Sequence, residues 1–207
     1  MDMQFDYVQP SPYLSIVLDI IRKGIACEKG NLRAKDNEDL KNQKLSEAFN
    51  IIGSQNEKIW IGAGKEHNQL GKQTREDIYF YLAGDNHPRI FYLEGKRLPK
   101  NKTISEEEYV VGISTSGKPS GGIERFKLGI HGEPLRIQNN GIIAYIENKT
   151  IPEWELIINH SIAVHYPDDT NLQLNILLEN EYTSTHQYSR GNVGHFKMYH
   201  FWIDLSK

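Results

Sequence analysis

The chain has 207 residues and a single cysteine, Cys27. One cysteine excludes an internal disulfide and a cysteine-rich zinc site. The residues before it, Ile25 and Ala26, are apolar. We therefore expect Cys27 to be a buried core residue rather than a nucleophile.

Long hydrophobic runs are also missing. The longest apolar stretch, from Tyr13 to Ile21, is interrupted by Asp19 and is too short to span a bilayer. The first residues are acidic, unlike the basic start of a signal peptide. We expect a soluble, cytoplasmic protein with no membrane partner.

The chain has no strong charge of either sign. Its formal net charge is -3 at pH 7, so no overall basic field attracts it to nucleic acid. This argues against a non-specific DNA coat. It does not argue against an enzyme whose basic groups are local.

Several catalytic motifs are absent. The glycine-rich segment from Gly62 to Arg75 lacks the hydroxyl residue of a phosphate loop, because Gln73 stands in that position. No Gly-x-Ser-x-Gly elbow and no pair of histidines at helical spacing occur. We therefore expect neither a nucleoside triphosphatase, nor a serine hydrolase of that type, nor a zinc hydrolase. The glycine-rich segment is predicted to be a loop beside the functional site.

Hydrophobic periodicity predicts two early helices, then a hairpin, then mixed elements. The predicted helices are Pro12–Ala26, Asn37–Ile52 with Gly53 as its stop, Ile123–Gly129 and Pro152–Ile162, with a short one starting near Ser105; the predicted strands outside the hairpin are Lys58–Ile61, Gly141–Ile146, Leu172–Leu178 and Phe196–Leu205. This order is typical of an α/β (mixed α+β) domain. We expect one domain over residues 1–207, with a helical segment at 1–35 and the core at 36–207.

The most informative stretch covers residues 77–96, which predict two strands joined by a tight turn. With Asp85 and Asn86 as the two loop residues, Asp77 lies opposite Glu94. Facing Cβ atoms in such a pair are roughly 5 Å apart. Lys96, two residues after Glu94, points to the same side of the sheet.

This arrangement has a chemical and an ordinary interpretation. Ile90, Tyr92, Glu94 and Lys96 are predicted to share one face of the second strand. Two close carboxylates and a lysine can hold Mg²⁺ and activate water against a phosphodiester. A Glu/Lys pair on an exposed edge strand is the ordinary alternative. The apolar run before Glu94 favours a buried acid, which needs a partner.

A local basic cluster is predicted around a later glycine-rich loop. It consists of Arg125, Lys127 and Arg136. Contact with a phosphate and a solvated surface are both open interpretations.

With these residues in view, the chain resembles the PD-(D/E)XK, or restriction-endonuclease-like, nuclease superfamily. The superfamily pattern is an acid on an early helix, an Asp on one strand and Glu/Asp-x-Lys on the next. Glu38, Asp77 and Glu94-x-Lys96 are similar to this pattern, with Glu47 as a competitor for the helix acid. Four downstream segments are similar to an uncharacterised subset associated with prokaryotic defence regions: 121–126, 140–146, 185–190 and 199–204.

The resemblance implies a restriction-endonuclease-like central mixed sheet flanked by helices, and a DNA endonuclease of antiviral defence that depends on Mg²⁺ or Mn²⁺. In this scheme the metal ligands are Asp77, Glu94 and, directly or through water, Glu38; Lys96 orients or deprotonates the attacking water; and Arg125 and Lys127 contact phosphate. Because the chain is acidic, a homo-oligomer or a partner subunit is expected to contribute to DNA binding. The alternative is a non-catalytic, nuclease-like subunit that binds DNA or another protein.

Overall fold

A computed structural model describes residues 12–56, 59–65, 77–84, 86–98, 106–133, 137–189 and 194–206. Within them the chain forms a seven-stranded mixed sheet flanked by four α-helices, which confirms the α/β class. The helices are α1 (Leu14–Glu28), α2 (Glu38–Ser54), α3 (Gly122–Lys127) and α4 (Ile151–His165), with 3₁₀ turns at Lys29–Asn31 and Glu106–Tyr109. The strands are β1 (Ile61–Gly64), β2 (Ile78–Leu82), β3 (Arg89–Leu98), β4 (Asn139–Ile146), β5 (Gln173–Leu174), β6 (Glu181–Gln187) and β7 (His195–Asp204).

The sheet order is β1-β2-β3-β4-β7-β6-β5. The three central strands, β3, β4 and β7, are parallel, and the outer pairs are antiparallel. One apolar cluster packs α1 and α2 on the face that carries Phe91 and Leu93 of β3. The other packs α3 and α4 on the face that carries Tyr92 and Leu98. In the described part of the chain, no helix has the length and apolar character needed to cross a membrane.

Helix α2 starts where the sequence predicts. The side chain of Asn37 accepts a hydrogen bond from the backbone N–H of Leu40 at 2.8 Å and caps the helix. Glu38 and Asp39 occupy the first turn, where the helix dipole favours acids. The predicted stop at Gly53 is wrong, because the helix continues to Ser54. Gly53 instead allows a close approach: a β-carbon there would overlap the backbone carbonyl oxygen of Ile61.

The hairpin register is confirmed at its base. Ile78 pairs with Leu93, so Asp77 comes next to Glu94 as predicted. The register shifts between Phe80 and Tyr81. This β-bulge turns Ile90 toward the cluster beneath α1 and α2. The prediction that Ile90 shares a face with Tyr92 and Glu94 is therefore wrong.

Strand β1 lies later than predicted. It covers Ile61–Gly64, so Gly62 and Gly64 belong to the strand and not to a loop. The rings of Tyr81 and Tyr79 fill the space that side chains would take at these glycines. Residues 66–75 of the predicted loop lie outside the described residues, as does Ser105.

At the other edge of the sheet, the predicted strand Leu172–Leu178 is reduced to Gln173–Leu174. Strand β6 was not predicted. Its buried positions include Ser184 and His186, so it lacks the apolar alternation that identifies a half-buried strand.

The predicted burial of Cys27 is wrong, because its side chain is exposed. The fully buried positions of α1 end at Gly24. The last turn of the helix, which contains Cys27, therefore extends past the core.

Substitution Gly53→Ala should destabilise the fold by about 1–3 kcal/mol, since the new methyl group forces α2 away from β1. Gly30 is the matched control, because nothing lies within 4 Å of a β-carbon there. Gly30→Ala should be neutral or slightly stabilising. Urea unfolding of both variants tests this, and equal free energies of unfolding would contradict it.

Candidate active site

Two carboxylates meet beside the part of β3 that extends past β2. Asp77 Oδ2 accepts a hydrogen bond from the backbone N–H of Gly95 at 2.7 Å. Glu38 Oε2 accepts one from the backbone N–H of Arg97 at 3.0 Å. Both amides lie beyond the last described pair of β2 with β3, Ile78–Leu93. Each carboxylate thus takes the place that a neighbouring strand would fill.

The two acids open onto one cleft of about 490 Å³. Its described lining residues are Asn37, Glu38, Asp39, Asp77, Lys96, Arg97 and Glu108. Glu47, the competing helix acid, is exposed and accepts a hydrogen bond from Gln43. Glu38 is therefore the α2 acid that the fold brings to Asp77.

Glu94 lies behind the cleft and is only 2% exposed. Its Oε1 lies 3.0 Å from Lys96 Nζ and 3.1 Å from Arg125 Nη1. Its Oε2 lies 2.9 Å from His131 Nδ1, without the alignment of a hydrogen bond. Burial alone would raise the pKa of Glu94, but His131, Lys96 and Arg125 hold this pKa well below its usual range.

Asp77 and Glu38 are compensated less than Glu94, each by Lys96 and by one backbone N–H. Burial, together with the carboxylates of Glu94 and Glu38, raises the pKa of Asp77 well above its usual value. Burial also raises the pKa of Glu38, with Lys96 opposing and Glu94 adding to the rise. The second oxygen of each acid makes no hydrogen bond to any residue that the structure describes. This pair would gain from an added cation.

Lys96 is a fixed cation in this site. Burial would lower the pKa of Lys96, but the carboxylates of Glu94, Glu38 and Asp77 raise it above its usual value. An ammonium group with a raised pKa does not take a proton from water. Of the two roles expected for Lys96, orientation of the attacking water is favoured over its deprotonation.

The donor set fits a hard divalent ion. Mg²⁺ is commonly held by one or two carboxylates together with waters and substrate phosphates, and Glu38 and Asp77 supply such a pair. Among the described residues, no group of three or more His, Cys, Asp and Glu side chains has an arrangement that could hold a metal. Glu94, expected with Asp77 as one of the two main ligands, lies behind the cleft and is paired with three basic side chains.

The two candidate phosphate contacts have separate environments. Arg125 contacts Glu94 beside the cleft. Lys127 is buried, with Nζ 2.5 Å from Asp169 Oδ2 and 4.3 Å from the ring centre of Tyr166. The structure therefore does not bring Lys127 to the cleft. Residues two apart on a helix face different directions, which explains why Arg125 and Lys127 have different surroundings. Arg136, the third member of the predicted basic cluster, lies outside the described residues.

Two site residues were missed by the sequence analysis. His131 lies in a turn between Gly129 and Gly132, both with positive φ, and its only sequence signal is this pair of glycines. Arg97 lines the cleft and binds the buried Glu147 through two hydrogen bonds, at 2.7 and 2.6 Å. Arg97 thus ties the end of β3 to a buried acid.

A second polar network joins β6, β7 and the 3₁₀ turn at Glu106–Tyr109. Asp169 Oδ2 is 2.8 Å from His186 Nδ1, and Ser184 Oγ is 2.6 Å from His186 Nε2 and 2.7 Å from His200 Nε2. His200 Nδ1 is 2.7 Å from the hydroxyl of Tyr109. These side chains are buried.

With both imidazoles neutral, one assignment of donors and acceptors satisfies every hydrogen bond of this network. His186 donates to Asp169 through Nδ1, so its Nε2 accepts the proton of Ser184. The oxygen of Ser184 then accepts from His200 Nε2, and His200 Nδ1 accepts from the hydroxyl of Tyr109. Ser184 resembles the serine of a catalytic triad in its contacts, but it is 2% exposed, so a substrate cannot reach it.

Comparisons of the chain with protein-family models, curated proteins and solved structures find no match. The nuclease resemblance therefore rests on the residues and their geometry alone.

Asp77→Asn should abolish binding of Mg²⁺ or Mn²⁺ and leave the metal-free protein as stable as wild type or more stable, by about 0.5–2 kcal/mol. The amide keeps an oxygen for the N–H of Gly95 and removes the repulsion from Glu38 and Glu94. Calorimetry with each metal, in the presence of nucleic acid, tests the loss of metal binding. Thermal unfolding without metal tests the effect on stability. Unchanged metal binding by the variant would contradict the assignment.

The histidine network should make stability fall in acid. Burial lowers the pKa of His186, against the effect of Asp169, and lowers the pKa of His200 well below its usual value. As the pH falls below about 6.5, the unfolded chain binds two protons that the folded chain excludes. The free energy of unfolding should drop by up to about 2.7 kcal/mol per pH unit.

Urea unfolding over a range of pH values measures this slope. The exposed His195 supplies the control: His195→Gln should keep the slope, and the double variant His186→Gln/His200→Gln should lose most of it. A double variant with the wild-type slope would show that other groups cause the acid sensitivity.

Proposed function

We propose that the chain is a metal-dependent phosphodiesterase, a DNA endonuclease that acts in the cytoplasm in prokaryotic antiviral defence. The observation that carries this proposal is the meeting of Glu38, Asp77 and Lys96 at one open cleft. Two carboxylates with raised pKa values beside a fixed ammonium group suit a divalent ion and a phosphate together.

Asp77 and Glu38 would hold Mg²⁺ or Mn²⁺ through the oxygens that do not bind β3. A bound divalent ion supplies Lewis-acid polarisation of the phosphoryl group. The backbone hydrogen bonds from Gly95 and Arg97 fix both carboxylates before any ligand arrives. Such a prepared site avoids much of the reorganisation that would otherwise oppose the reaction.

Lys96 would stabilise the negative charge that develops on the phosphate in the transition state. Glu94 keeps the ammonium group at the wall of the cleft. Arg125 and His131 hold Glu94 from its other sides. In this scheme Glu94, Arg125 and His131 are positioning residues, and Lys96 acts on the substrate.

A non-catalytic subunit that binds DNA or another protein is the alternative function. The capping of the β3 amides favours it, because this gives Asp77 and Glu38 a structural role without any metal. The net charge of -3 also favours it. Metal dependence separates the two functions, since a binding module of this kind does not need Mg²⁺.

Lys96→Ala should lower the cleavage rate by a factor of at least about 10² and leave nucleic-acid binding nearly intact. The variant leaves Arg125 and His131 around Glu94, so the buried acid keeps its partners. Cleavage of plasmid, single-stranded DNA and RNA is measured with and without Mg²⁺. A Lys96→Ala protein that cuts as fast as wild type would disprove the mechanism.

Two acids of α2 supply a matched pair for the same assay. Glu38→Gln should lose cleavage, because Glu38 faces the cleft. Glu47→Gln should keep it, because Glu47 is exposed. Equal activity of the two variants would remove Glu38 from the site.

A further inference from the structure

One end of the sheet carries aromatic side chains on the face of the cleft. Tyr79 and Tyr81 alternate along β2, so they share one face, and Asp77 comes directly before the strand. Tyr79 packs against the same apolar cluster as Tyr92 of β3. Tyr79 and Tyr81 are half-buried, whereas Phe80, on the opposite face, is fully buried.

Two glycines let these rings lie against the backbone of β1. Gly62 pairs with Tyr81 and Gly64 pairs with Tyr79. A β-carbon at either glycine would overlap ring atoms of the tyrosine opposite. The inner side of each ring is turned to the strand, and Tyr81, whose ring centre lies 5.4 Å from that of His87, stays half-exposed.

Trp60 extends the same row. The backbone N–H of Ala83 donates to the carbonyl of Trp60 at 3.0 Å, which continues the register of β1 with β2. By alternation Trp60 falls on the face of Gly62 and Gly64. Its side chain is 53% exposed, although indole is among the largest apolar groups.

A cation lies within the row. The guanidinium of Arg89 stacks on the ring of Tyr79 at 4.1 Å from its centre. The ring centres of Tyr79 and Tyr81 are 5.9 Å apart. Arginine planes and aromatic rings both stack on nucleobases.

The two tyrosines of the row lie on the strand that follows Asp77, a lining residue of the cleft. From Tyr81 to Asp77 the strand covers roughly 13 Å, the length of about four stacked nucleotides. Rings that cover glycines also stabilise strand pairing by themselves. That role does not account for the exposure of Trp60 or for the alignment of the row with Asp77.

We propose that the aromatic face formed by Trp60, Tyr79, Tyr81 and Arg89 binds unpaired nucleotides of a single-stranded nucleic acid beside the cleft. This inference rests on the proposed function for its connection to cleavage. Base stacking is tolerant of sequence and needs bases whose faces are free. In a duplex those faces are covered by neighbouring bases, so the substrate has a single-stranded segment at the site.

Binding is tested without divalent metal, so that no cleavage occurs. A labelled thymidine oligonucleotide should bind by fluorescence anisotropy and should quench tryptophan emission. The quenching reports on Trp60, because Trp154 and Trp202 are buried. Trp60→Ala and Tyr81→Ala should each weaken binding at least about five-fold, whereas Tyr81→Phe and the control Ile51→Ala, at an exposed position on α2, should not.

Three results would overturn the proposal. An abasic oligonucleotide or a duplex could bind as tightly as the intact single strand. Alternatively, a neutral oligosaccharide could quench Trp60 emission when the oligonucleotide does not.

Failure of the nuclease proposal can be distinguished from failure of the aromatic-face proposal. Stacking on Trp60 with no cleavage in Mg²⁺ would remove the nuclease and keep the aromatic face. Cleavage of duplex DNA that is unaffected by Trp60→Ala and Tyr81→Ala would keep the nuclease and remove the aromatic face.

Discussion

Strand β3 continues past the start of β2, and its backbone amides at Gly95 and Arg97 need acceptors there. Asp77 and Glu38 supply them. The geometry of the cleft reflects this requirement, because one acid comes from the residue before β2 and the other from the first turn of α2. A backbone need for hydrogen bonds thus brings together two carboxylates that would otherwise repel each other.

The charges around β3 form two layers with different compensation. Glu94 is buried among Lys96, Arg125 and His131, and its pKa is held low. Asp77 and Glu38 lie at the opening, and their pKa values are raised. The inner layer fixes Lys96 in place and sets at least two cations around one carboxylate. The ionised forms of the two outer carboxylates are disfavoured, so they are the groups that would gain from an exchangeable cation.

The sequence predicted the features that depend on local pattern. Alternation and turn residues were sufficient for the pairing that brings Asp77 next to Glu94, and the predicted start of the second helix near Asn37 was sufficient to place Glu38 in a first helical turn. Features set by tertiary contacts could not be predicted. On the buried side of β6, Ser184 and His186 are hydrogen-bonded to each other. Lys127 faces Asp169 because of the way α3 is turned about its own axis. His131 reaches Glu94 only through the conformation of its turn.

The β-bulge between Phe80 and Tyr81 separates the two ends of the hairpin. On the side of the cleft, the pairing of Ile78 with Leu93 fixes the position of Asp77. On the other side, the bulge absorbs a change in register before the turn begins. Insertions or deletions at the tip, near Asn86, can therefore accumulate during evolution while the carboxylates keep their spacing. The hairpin tip beyond Tyr81 and Arg89 can therefore change without moving the carboxylates.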